Sequence, residues 1–394
     1  MPRFVPFDAL RFADQSRLPN LIAPPYDVLS DTELDHYRAL DPHNITYIDV
    51  PRGGHDRYQV AADTLRDWRD HGVLIADQEP SFTLYRLSFT DDTGTAREIV
   101  GVLGGLEVTD PGTGGVLPHE RTTPKASTDR LDLTRATKAN LSPVWGLSLT
   151  SGLAALLAEP GEPAGEVTED GVTHRVERVT DPDRIAAMSA AVASDDVLIA
   201  DGPHRYSIAR TYRDEIRAAT GHTDTGAEET LTFVSELVAD QLSVAAIHRL
   251  YAGITVDTLT AALAQRFEIA PTDRPGPHTL AAMESDGHLV LYADGTAWTL
   301  TPRSGAFDHI RALDGLWLEE TLADLAPEVT YQHGLVETVA AVESGVAVAA
   351  VLIRPVSVAE IERTAREGLL MPPKSTFFTP KLQTGFVLRP LSAV

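Results

Sequence analysis

An apolar run, Leu198-Ile199-Ala200, ends in Asp201-Gly202, and Pro203-His204-Arg205-Tyr206 then leads into Ser207 to Ala219, which has the pattern of a helix. No other segment constrains the chain as strongly. A strand that turns on a glycine into a helix gathers at one point the first backbone N–H groups, which have no partner inside the helix, and the positive end of its dipole. Such a turn favours an anion. Arg205 adds a guanidinium whose fork suits phosphate, and His204 a side chain that titrates near neutral pH. Asp201 can hold the turn, orient His204 or bind a metal ion. The plainer reading of the same residues is an Asp-Gly turn with Arg205 in a surface ion pair.

The charge pattern narrows the ligand. The formal net charge is −24, which repels nucleic acid and anionic membranes at long range, so neither is an expected partner. The cations are clustered against this background: Arg121, Lys125, Arg130, Arg135 and Lys138 fall close together, His204, Arg205 and Arg210 form a second group, and Lys374 and Lys381 a third. Local positive charge on an acidic protein suggests a pocket for an anion. No apolar run reaches the roughly 20 residues of a membrane helix. The first ten residues have neither the basic start nor the apolar core of a signal peptide. The absence of cysteine excludes thiolate catalysis and thiolate zinc sites, and fits a cytoplasmic protein.

Strands and helices alternate without a regular βαβ rhythm, which favours an α+β fold with a mixed-sheet core. Ser30 and Glu33 predict a capping box for a helix over Asp31 to Leu40. Tyr58 to His71 reads as an amphipathic helix with Val60, Leu65 and Trp68 on one face, stopped by Gly72. Strands are expected at Phe82 to Phe89, Glu98 to Val108, Val144 to Leu149, Gly171 to Val179, Glu229 to Leu237, Ser243 to Leu250 and Val346 to Ile353, and a helix at Thr128 to Ala139. The expected organisation is a main domain over 1–250, an α/β subdomain or insertion over 251–345, and a strand-helix-loop over 346–394 that returns to the main domain. There is no dinucleotide or Walker glycine motif.

Two further loops concentrate chemistry. Leu117 to Lys125 packs His119, Glu120, Arg121, Thr122 and Lys125 between glycines and prolines, and Asp129-Arg130 follow at the next helix start. Glu120 is a candidate general base toward a hydroxyl and His119 an acid or orienting group. Surface pairing of these acids with Arg121 and Arg130 is the alternative. Met371 to Lys381 sets Lys374, Ser375 and Lys381 among stiffening prolines, which lowers the entropic cost of presenting them to a ligand. His248-Arg249 adds a further pair after an apolar strand, and Tyr26-Asp27 a rigid turn with an acid. Asn140 reads as a helix C-cap and Ser142 as a turn former.

Together, "APPYDVLS", "LPHERTTPKASTDRLDL", "ANLSPVWGL", "ADGPHRY", "AIHRLY" and "MPPKSTFFTPKL" resemble a prokaryotic family known as the domain of unknown function numbered 1015, in family order along the chain. The family's central motif usually reads Asp-Gly-His-His-Arg, and here Pro203 stands at the first histidine. That motif also resembles the phosphate-binding turn of the ParB/sulfiredoxin-like superfamily, which includes free serine kinases.

The resemblance and the anion turn together imply phosphoryl transfer to or from a small hydroxylated metabolite, serine or phosphoserine. Gly202, His204 and Arg205 would hold the phosphate, Glu120 or His119 would handle the proton, Lys374 and Lys381 would neutralise charge, and Mg²⁺ would bridge Asp201 and phosphate oxygens. Arg121, Thr122, Lys125, Asp129, Arg130, His248, Arg249 and Ser375 complete the candidate binding set. A kinase would need ADP or ATP; a phosphatase would need water. A non-catalytic nucleotide or phosphometabolite sensor using the same pocket is the alternative, and the oligomeric state is open.

Overall fold

The computed structural model describes residues 1–91, 94–118, 127–372 and 374–391. Two large sheets carry an α+β fold. The first comprises β1 (Phe4–Val5), β2 (Phe82–Thr90), β3 (Ala96–Glu107), β4 (Val116–Pro118), β5 (Val144–Ser148), β6 (Glu162–Glu169), β7 (Val172–Val179), β8 (Val197–Asp201) and β9 (Glu229–Glu236), in the order β4-β8-β5-β9-β3-β2-β7-β6 with β1 added against β3. It is mixed: β4 and β8 run parallel, as do β5 and β9, while the remaining pairs are antiparallel. The second sheet, wholly antiparallel, comprises β10 (Ile247–Ala252), β11 (Phe267–Thr272), β12 (Leu289–Ala293), β13 (Thr296–Pro302), β14 (Glu328–His333) and β15 (Ala349–Leu352), in the order β11-β13-β12-β15-β10-β14. It spans Ile247 to Leu352, a little more than 251–345 at either end.

The first sheet is buried on both faces, which is why β3 reads as a near-continuous apolar run rather than an alternation. One face packs Tyr85, Leu103, Trp145 and Phe233 against helix α1 (Asp31–Leu40), helix α2 (Arg57–Asp70) and the C-terminal Phe378, Phe386 and Leu388. The other packs Phe82, Val102, Val197, Ile199 and Val234 against two further helices and Tyr206. Gly101 and Gly104 in β3 admit the rings of Phe233, Phe4 and Phe82, which would lie within 2.7 Å of an added Cβ. The capping box of α1 is formed by Ser30 and Glu33 as the residues require.

In α2 the buried face is Ala61, Leu65 and Trp68, spaced i, i+4, i+7; Val60 is 52% exposed and lies off that stripe. Ser243 to Leu250 is two strands, not one: Ser243–Ala245 pairs with Phe377–Thr379, and β10 enters the second sheet. The helix α3 (Ser127–Thr137) ends before Lys138, and Asn140 is no C-cap. It lies in a short strand against Arg389, its Oδ1 accepting from the Leu231 N–H at 3.0 Å. The C-terminal segment threads back through the first unit, bridging Ala23 at Thr384 and Leu10 at Leu388, and so carries Lys381 to the end of β8.

Candidate active site

Strand β8 ends in Asp201, and the helix α4 (Pro203–Thr220) starts immediately, with Gly202 as its N-cap and Pro203 at the first helical position. Proline suits that position because its missing N–H would have no helical partner. The helix thus starts at Pro203, two residues ahead of Arg205, with Gly202 and His204 at its N-terminus. Gly202 sits at φ +75°. An added Cβ would also lie 2.8 Å from Arg205 Nε, because the guanidinium folds back over the glycine. Both constraints require glycine. By helix geometry the N–H groups of His204 and Arg205 have no acceptor within α4, whose first internal bond runs from Tyr206 N–H to the Gly202 carbonyl.

Arg205 is no surface residue. Its side chain is 11% exposed, Nη2 donates to Asp201 Oδ2 at 2.8 Å, and Nη1 donates to the Pro143 carbonyl. Its Nε is buried with no hydrogen-bond partner. Lys381 Nζ donates to the other oxygen of Asp201 at 2.5 Å and lies 4.4 Å from the centre of the Phe377 ring. Burial pushes the Asp201 carboxyl up, but Lys381 and Arg205 together outweigh it and hold the group below the usual carboxylate range. Both Asp201 oxygens accept from cations, so a Mg²⁺ ion bound there, as the sequence reading expects, would have to compete with Lys381 and Arg205. Among the described residues no group of three His, Asp or Glu side chains is placed to hold a metal ion.

Beside this pair lies a second cluster built from distant segments. Arg130, in the first turn of α3, donates from Nη1 to the Asp49 backbone carbonyl at 2.5 Å and lies 3.3 Å from its Oδ1, with the guanidinium 3.9 Å above the Tyr26 ring. Ser142 Oγ reaches Asp49 at 3.4 Å and Thr384 Oγ1 at 3.0 Å. Burial raises the Asp49 carboxyl above the ordinary range, opposed by Arg130 and Arg205. Tyr26, Asp49, Arg130, Ser142 and Arg205 line one cavity of about 50 Å³. A larger cavity of about 220 Å³ flanks the first turn of α4, walled by Leu117, Pro118, Ile199, Pro203, Tyr206 and Arg210 among others.

The structure therefore brings Asp201, Gly202, His204, Arg205, Arg130 and Lys381 to one region. Asp129 is at its rim, accepting from Tyr58 at 2.6 Å and Arg57 at 3.2 Å and pairing with Arg130. His119, Glu120, Arg121, Thr122 and Lys125 lie outside the described residues. Their segment leaves β4 at Pro118, which is paired with Ile199 only two residues before Asp201, and re-enters at α3 ahead of Arg130.

His248 and Arg249 are elsewhere, buried in β10 of the second sheet. His248 Nδ1 accepts from the Ile353 N–H at 3.2 Å, burial lowers the imidazole to about 4, and Arg249 donates to the Ile247 carbonyl. As phosphate ligands both are corrected, since both are buried and bond to backbone groups of the protein. Lys374 is exposed, and its carbonyl accepts from Arg249 at 3.4 Å. Ser375 is buried and donates to the Pro372 carbonyl at 2.8 Å. Asp49 was invisible in the sequence, because nothing in Tyr47-Ile48-Asp49-Val50 resembles a site; the paired prolines before Tyr26 were the one signal for that turn.

The family described as Protein of unknown function (DUF1015) matches residues 4–316. No curated protein matches the chain. Among solved structures, a conserved hypothetical protein from Pyrococcus furiosus is 12% identical, covering 69% of this chain and 92% of its own, with a TM-score of 0.36. A free serine kinase in complex with AMP is 11% identical, covering 69% and 89%, with a TM-score of 0.36. SbnI with a C-terminal truncation, from Staphylococcus aureus, is 12% identical, covering 70% and 82%, with a TM-score of 0.37. Likenesses this distant carry no argument about the chemistry of this chain. Among the described residues no helix is long and apolar enough to cross a membrane.

Proposed function

The chain belongs to the DUF1015 family of proteins of unknown function, and we propose that it transfers a phosphoryl group to or from a small hydroxylated metabolite, serine or phosphoserine before others. The observation that carries this reading is Arg205: a cation at an open helix N-terminus, beside Lys381, with a buried Nε that has no acceptor. A phosphate oxygen supplies acceptors for such donors, and a helix start adds the favourable dipole. Phosphoryl transfer needs positioning and charge neutralisation more than covalent chemistry from the protein, and Arg205, Lys381 and Arg130 are suited to both. The cavity walled by Leu117, Pro118 and Pro203 has room for the organic part of a ligand. His119 and Glu120 are the proposed proton-handling pair. The β4–β8 register supports this, because it starts their segment beside the anion turn. No step is assigned to a metal, for which the described residues offer no set of ligands.

A nucleotide or phosphometabolite sensor is the second reading. It is favoured by one observation: Arg205 and Lys381 are both already paired with Asp201, an arrangement that a bound phosphate would rearrange.

Titration calorimetry with phosphoserine, AMP and ADP, together with assays of phosphate release from phosphoserine and of phosphoserine formation from serine plus ADP or ATP, separates these readings. Binding with turnover is expected. Lys381→Met should weaken phosphoserine binding on the order of ten- to a hundredfold, the value of a charged hydrogen bond. Binding without turnover selects the sensor, and no binding of any phosphorylated ligand removes both.

A further inference from the structure

Among the described residues, four strands end the orders of the two large sheets, besides the two-residue β1 added against β3, and three of the four are blunted. In β6, Glu162, Glu166 and Glu169 line the strand with Pro163, its pairing with β7 is irregular at Val176/Glu177, and Tyr37 reaches across to Glu169 at 2.8 Å. In β11, Pro271 removes a backbone donor and Glu268 adds charge. Strand β4 is three residues long and ends in Pro118. Short length, proline, charge and bulges are the devices by which sheet edges avoid pairing with other chains.

Strand β14, Glu328-Val329-Thr330-Tyr331-Gln332-His333, has none of these beyond one glutamate at its first position. Five of its six residues are exposed, including Val329 at 36% and Tyr331 at 43%. Tyr331 is also held from behind, with the Arg249 guanidinium 4.8 Å from its ring centre.

The strand is complementary to itself. A two-fold axis perpendicular to a sheet keeps each face on its own side, so an antiparallel pair it generates must be centred on a residue. Centred on Thr330, the register sets Val329 opposite Tyr331 twice on one face. On the other face it sets Thr330 opposite its own copy and Glu328 opposite Gln332 twice. Aromatic with β-branched and threonine with threonine are the stabilising cross-strand pairs. The Gln332 amide can donate to the Glu328 carboxylate. No like charges meet.

We propose that β14 is a dimerisation edge, pairing antiparallel with β14 of a second copy so that two six-stranded sheets become one continuous sheet. The interface lies in the second unit and is independent of the reaction assigned to the first.

The chain has no cysteine, so single thiols report the geometry cleanly. Thr330→Cys, oxidised in the full-length protein, should cross-link rapidly into a covalent dimer, whereas Thr272→Cys on the β11 edge should not. In sedimentation of the cysteine-free chain, dimers should form, and high salt should favour them by screening the −24 charge on each copy. Val329→Lys should weaken dimerisation by at least about tenfold. A wild-type chain that stays monomeric at every concentration, with Thr330→Cys cross-linking no faster than Thr272→Cys, overturns the proposal. So does a dimer that Val329→Lys leaves intact and Thr330→Cys does not trap.

Discussion

The dipeptide His-Arg occurs three times, and two of the pairs, His204-Arg205 and His248-Arg249, have opposite fates. The first follows a strand that has ended: Gly202 breaks β8, α4 begins, and the backbone leaves N–H groups and an Arg205 Nε without acceptors. The second is inside β10, flanked by β14 and β15, where the backbone is paired on both sides and the side chains bond to the sheet's own Ile353 and Ile247. The same residues therefore read as a ligand site at a strand end and as core in mid-strand. What differs is whether the backbone has spent its hydrogen bonds.

The largest test of that contrast is Arg205→Ala. A solvated arginine would be removed at little cost to stability. This one is buried against Asp201 and Pro143, and its loss leaves Asp201 with Lys381 alone, so denaturant unfolding should show a loss of about 3–5 kcal/mol. A loss below about 1 kcal/mol would mean that the guanidinium is solvated after all.

Acid should next distinguish the neutral histidines from the charged cluster. Burial lowers both His248 and His174 from 6.5 to about 4. Between those values the unfolded chain takes up the proton and the folded chain does not, so stability should fall as pH drops from 6.5 toward 4, by about 3 kcal/mol per group. Asp201 behaves differently. Its carboxyl is held below the usual range, so its contribution is present above the unfolded value and is lost only as pH falls through the lower folded one. Unfolding midpoints measured across pH should fall less steeply between 6.5 and 4 in His248→Gln, with His174 supplying the slope that remains. An unchanged slope would mean that the buried imidazole is not the titrating group.

The smallest effect expected is that of Gly202→Ala. A methyl group there meets both the +75° backbone and Arg205 Nε at 2.8 Å, and about 1–3 kcal/mol should be lost. The corresponding change at an open position with ordinary φ, Gly54→Ala, should be near neutral, and equal costs at the two would remove the constraint on the turn.

Much of the local structure was legible because it is local. The capping box at Ser30 and Glu33, the helix of Trp68, the strands β2, β3, β5, β7 and β9 and the Asp-Gly break before α4 follow from spacing, caps and turn chemistry that act within a few residues, whereas the edge strands β4 and β6 were not read. The error at Val60 is of the same kind: it fell one residue off a stripe that Ala61 keeps. The anion turn was legible for the same reason, as a strand, a glycine and a helix start in immediate succession. The fate of its side chains was not. Whether Arg205 faces water or Asp201, whether Lys381 reaches β8 from the far end of the chain, and whether Asp49 lies beneath Arg130 depend on contacts between residues up to 180 positions apart. Sequence carries the chemistry of each of these groups but not their meeting. Tertiary packing decides which charges are stripped of water together, and desolvation is what turns ordinary surface residues into a site.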